Sequence, residues 1–120
     1  MIPKIKSIYS TEIHNLESYK PEISDNFGFN LRLLIGPKGE YGEESFDLFV
    51  CTLKWLLENY NREDILFLRH KCIIFSYDYA ALIKRVERLV HSCAGNDWKI
   101  CAEKLSKFTH WEFEDYDNDK

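Results

Sequence analysis

The sequence predicts an α+β domain: an antiparallel sheet of about four to five strands, with two to three helices packed on one side. Three observations predict it. Residues 27–35 alternate apolar and polar side chains with a period of two. A loop rich in Gly and Pro follows at 36–44 and leads into a second apolar run, so the two runs pair as a hairpin. Beyond residue 77 the apolar spacing changes, twice, to that of a helix.

The elements follow in order. Residues 2–10, with Ile5, Ile8 and Tyr9, form a first strand. Residues 11–26 carry Asn15, Ser18, Pro21, Ser24, Asp25 and Asn26, which is loop chemistry with room for one helical turn. In 27–35 every odd position is apolar, while Asn30 and Arg32 fall on the other face, giving a half-buried strand. Gly36, Pro37, Gly39 and Gly42 end it. Residues 45–52 return, with Phe46, Leu48 and Val50 on one face and Phe49 and Cys51 on the other. Thr52 caps a short helix whose stripe is Leu53, Leu56, Leu57 and Tyr60. Residues 65–76 predict a central strand, because Cys72, Ile73, Ile74 and Phe75 are apolar on both faces. Asp78 caps a helix with Leu82, Ile83, Val86, Leu89, Val90 and Cys93 inward, and Gly95 suits its C′ position. Asn96 or Asp97 caps the last helix, with Trp98, Cys101, Ala102, Leu105 and Phe108 inward. Residues 111–116 alternate aromatic with acid and form an edge strand or an extended tail.

The chain has 120 residues, 45% of them hydrophobic and 30% charged. That suits one folded domain over 1–120, closed by an acidic-aromatic segment at 109–120. The net charge of −4 disfavours nucleic-acid binding, which needs a dense basic surface. The charge is also uneven, with acids prevailing before residue 69 and after 107 and bases prevailing between. No apolar run is long enough to span a bilayer, so no membrane partner is expected. The N-terminus lacks the apolar run of a signal peptide. Cys51, Cys72, Cys93 and Cys101 match no zinc spacing and sit in apolar-periodic segments, as buried free thiols do. A cytoplasmic location with reduced thiols is the simplest expectation.

No catalytic, cofactor or metal set emerges. His14, His70, His91 and His110 have no His or Cys partner at ligand spacing on one face. The glycine loop ends in Glu43 and Glu44 and leads into a strand, whereas a phosphate loop needs Lys-Ser/Thr and a helix N-terminus. Exposed aromatics among acids do suit a protein contact: aromatics supply area and acids supply steering. On exposure and composition the candidate contacts are Glu40, Tyr41, Glu43, Glu44 and Asp47 around the loop. In the tail they are Trp111, Glu112, Glu114, Asp115 and Tyr116.

Residues 35–40 and 46–52, followed by Trp55 and Leu56, resemble immunity protein family eight of bacterial polymorphic toxin and contact-dependent inhibition systems. The resemblance continues through Arg69 and His70, the run 72–79, the segment 98–105 and the closing 110–116. The family pattern carries a proline after the Cys-Thr pair, where this chain has Leu53. Such a resemblance implies a protein that binds the C-terminal domain of a cognate toxin as a heterodimer and blocks it. It implies no enzymatic activity and no catalytic residues. Many toxins of this kind are nucleases, and an acidic inhibitor would mimic the nucleic-acid backbone. Two other readings remain: a small enzyme using His70 or His110 with a nearby acid, or an adaptor that binds a regulatory partner.

Overall fold

A computed structural model describes residues 1–114. Five strands and three helices occur in the order β1 (Pro3–Tyr9), β2 (Gly28–Pro37), β3 (Glu44–Cys51), α1 (Leu53–Asn59), β4 (Lys71–Ile73), α2 (Tyr79–His91), α3 (Trp98–Leu105) and β5 (His110–Trp111). The sheet order is β1-β2-β3-β4, and β5 also pairs with β3. All pairings are antiparallel except β3 with β4. The architecture is α+β, as the patterning predicts.

The hairpin register explains the core. Phe29 lies opposite Val50, Leu31 opposite Leu48 and Leu33 opposite Phe46. Directly opposed residues share a face, so these six side chains form one apolar surface. Leu82, Val86 and Val90 of α2 and Ala102 and Leu105 of α3 join them in a single buried cluster. The hairpin turn depends on glycine. A Cβ on Gly36 would lie 1.9 Å from the Gly42 carbonyl oxygen, and Gly39 and Gly42 have φ of 80° and 103°. All three helix caps form: the side chains of Thr52, Asp78 and Asp97 accept from the amides of Trp55, Ala81 and Ile100.

Three expectations need correction. Residues 65–76 do not form a central strand. Only Lys71–Ile73 is strand, parallel to β3 and at the sheet edge. The reason is competition for β3. Its outer edge pairs β5 at Phe46 and Asp47, which leaves Phe49–Cys51 for β4. Phe75 is consequently exposed. Gly95 does not cap α2 in the left-handed region, since Ser92 ends that helix in the αR region. It is needed for close approach instead. Its amide donates to the Met1 carbonyl (3.1 Å), its carbonyl accepts from the Met1 ammonium (2.7 Å), and a Cβ there would sit 2.6 Å from Ile100 Cγ2. The α1 stripe also fails. Leu56 is buried, but Leu53 and Leu57 are exposed, because Trp55 turns in to pack on Phe49 at 4.9 Å. Residues 11–26 are loop with a turn at 16–18, where Asn15 Oδ1 accepts from the amides of Glu17 and Ser18.

Phe46 is fully buried between Trp98 and Trp111, with ring centroids 6.2 Å from each. Phe46→Ala is expected to destabilise the fold by about 3–5 kcal/mol in urea unfolding monitored by tryptophan fluorescence. Tyr41→Ala, at a fully exposed position, should stay within about 0.5 kcal/mol of the native chain.

Candidate functional site

The acidic hairpin and the acidic C-terminal segment lie far apart in sequence, and β3 joins them. Phe46 pairs with Trp111 and Asp47 with His110. The contact extends past the ladder. Glu112 Oε1 accepts from the Ser45 amide (2.7 Å), and the Glu112 amide donates to the Ser45 carbonyl (3.1 Å). The start of β3 and the chain just after β5 thus form one corner of the sheet.

The candidate acids take distinct positions there. Glu44 points to the core side, where one carboxylate oxygen accepts from Trp98 Nε1 at 2.6 Å and from Trp111 Nε1 at 3.1 Å. A single acid thereby locks α3 and β5 around Phe46. Trp111 is half-buried, stacked on Phe46 at 8°. Glu114 is also held inward: its carboxylate accepts from Arg69 at 2.9 Å and lies 3.3 Å from His70 Nε2. Glu40, Tyr41, Glu43 and Glu112 remain exposed. At the hairpin tip the Glu40 carbonyl accepts from Lys6 Nζ, and its amide donates to the Pro37 carbonyl (3.3 Å). Asp115 and Tyr116 lie outside the described residues.

Asp47 lies one register position from this corner, on the face of the sheet away from α2 and α3. The register sets Tyr9, Arg32, Asp47 and His110 side by side across four strands. Arg32 donates to Asp47 through Nε at 2.8 Å and through a terminal nitrogen at 2.9 Å, a bidentate pair. That hydrogen bonding holds the Asp47 carboxyl below the usual carboxylate range, against the opposing effect of its partial burial. Beside the row, His70 adopts a left-handed backbone (φ 64°) at the junction of β4 and β5. Its ring sits 5.4 Å from that of His110, and its Nε2 lies 3.4 Å from the Ser106 carbonyl.

Composition does not single out Arg32 or Tyr9; the sequence names His70 and His110 singly, and the structure brings the two rings together, with His70 beside Glu114. The Arg32–Asp47 pair follows from the hairpin register, three steps from the Ile35–Glu44 pair that closes the loop. Pairing through β5 carries no comparable signal in two residues. Among the described residues no group of three or more His, Cys, Asp or Glu side chains is placed to hold a metal ion. All four cysteines are free, and burial raises the thiols of Cys51, Cys72 and Cys93 above their usual range.

Two measurements check this account. Glu44→Ala should cost about 1–3 kcal/mol, since it strands two indole N–H groups, while Glu43→Ala should be near neutral in the same unfolding assay. Asp47 has a folded pKa below its unfolded value. Its stabilising contribution is therefore present above pH about 4 and is lost as the pH falls through the lower folded value. Asp47→Asn should flatten the acid limb of stability against pH and leave its shape near neutrality unchanged.

The sequence pattern of one protein family, described as Immunity protein 8, matches residues 3–116, nearly the whole chain. No curated protein matches. No solved structure matches either. The family match spans every strand and helix that builds the acidic corner, and on that ground the chain belongs to the Immunity protein 8 family.

Proposed function

We propose that this chain is the stoichiometric inhibitor of a cognate toxin C-terminal domain, which it binds as a heterodimer in the cytoplasm of the producing cell. It acts by occupying the toxin and not by catalysis. One observation carries the reading: pairing of β3 with β5 sets exposed Glu112 beside Ser45 at the start of β3, next to a hairpin loop that exposes Glu40, Tyr41 and Glu43. Acids around an aromatic anchor are the chemistry of a contact to a basic protein surface. A nuclease offers such a surface where it holds phosphates, so a nuclease is the class of toxin proposed. The carboxylates would stand in for the nucleic-acid backbone.

The partner is a protein, not nucleic acid or a bilayer. The chain carries 20 acids against 16 bases. No helix among the described residues is long and apolar enough to cross a membrane. The internal acids keep the surface in place: Glu44 fixes the two indoles and Glu114 fastens the chain end to Arg69.

The test is co-expression of this chain with the C-terminal domain of the large protein encoded beside it. Restored growth and co-purification at a fixed one-to-one ratio are expected; continued killing, or no complex, contradicts the reading. Within that complex, replacing Glu40, Glu43 and Glu112 together by Lys should slow association by about tenfold or more at low salt. The difference should shrink as salt shortens the screening length to roughly 8 Å and below.

A further inference from the structure

The segment before β4 is apolar and has no partner strand. The amides of Ile65, Leu66, Phe67 and Leu68 make no hydrogen bond among the described residues. Their side chains alternate in exposure: Ile65 84%, Leu66 40%, Phe67 88% and Leu68 45%. That is the period of a strand with two faces. Leu66 and Leu68 line an open hollow of about 740 Å³ against Leu53, Leu56 and Leu57 of α1, while Ile65 and Phe67 face solvent. Exposed apolar side chains clustered in one segment in this way mark an interaction surface.

The sequence of the segment says what covers it. Residues 63–69 run Glu, Asp, Ile, Leu, Phe, Leu, Arg: acid at the start, base at the end, apolar between. Such a strand complements a reversed copy of itself. We propose that two copies of this chain pair antiparallel through residues 63–69, with Leu66 opposite Leu66, to form an isologous dimer. In that register Glu63 of each copy faces Arg69 of the other. Ile65 faces Phe67 twice, which closes the four most exposed side chains into one cluster. The unbonded amides of residues 65–68 find acceptors in the new ladder, while the Phe67 carbonyl already accepts from the Arg69 amide at 2.7 Å. Arg69 is half exposed and contributes one terminal nitrogen to Glu114 and Ser106, so its other donors can reach Glu63. The exposed acids of the toxin-binding corner lie outside this segment, so each copy keeps its own.

Sedimentation equilibrium of the full chain, over a wide concentration range and without toxin, tests the proposal. The expected result is a dimer of the 14.3 kDa chain that dissociates on dilution. Ile65→Asp with Phe67→Asp should raise its dissociation constant at least about tenfold with unchanged circular dichroism, because both side chains are exposed. Glu63→Arg, which sets like charges opposite one another, should weaken it in the same direction. A chain that is monomeric throughout overturns the proposal, as does a dimer that these variants leave intact. A monomer whose toxin affinity falls in the Asp variants assigns the segment to the toxin and overturns it equally.

Discussion

The outer edge of β3 is the constraint on which the rest of the structure depends. A strand offers one row of hydrogen-bonding groups on each side, and β2 takes one whole row of β3. The other row is divided: β5 takes Phe46 and Asp47, and β4 takes Phe49 to Cys51. This division keeps both strands short. It brings the C-terminal segment next to the hairpin. It also sends the chain from 60 to 70 along the outside, where Ile65 and Phe67 remain in water. His70, in its left-handed conformation, sits at the seam, and its carbonyl accepts from the Phe49 amide at 2.9 Å.

The acids divide by role. Glu44, Asp47 and Glu114 have specific cationic or indole partners and hold elements together. Glu40, Glu43 and Glu112 keep their charge toward solvent, although Glu112 also accepts from one backbone amide. A carboxylate bonded internally is fixed in direction and partly neutralised, so it steers a partner weakly. One left in solvent steers well and costs little in stability. Neighbouring positions in one strand-loop-strand unit therefore do different work. Composition alone cannot separate them.

The parts of the fold that depend on local periodicity were legible in the sequence. The Phe29, Leu31, Leu33 alternation, the hairpin glycines, the Thr52 and Asp78 caps and the α2 stripe all follow from spacing and backbone preference. What depends on partners distant in sequence was not. Residues 72–75 look like a central strand because they are apolar. Their burial was set by how much of β3 was left to pair, and two residues of β5 decided that. Gly95 reads as a helix stop, yet its lack of a side chain serves a contact with Met1, 94 positions away. The candidate contacts were chosen as acids and aromatics near loops. That rule could not tell Glu44, which is bonded to two indoles, from exposed Glu43.

Amide hydrogen exchange of the chain, alone and bound to its cognate toxin domain, tests the central claim most directly. The account predicts slowed exchange on binding at residues 39–44 and 112–114, where the hairpin and the chain end meet, with the outer face of α2 unchanged. Protection confined to α2, with the hairpin and chain end exchanging as in the free protein, would contradict it.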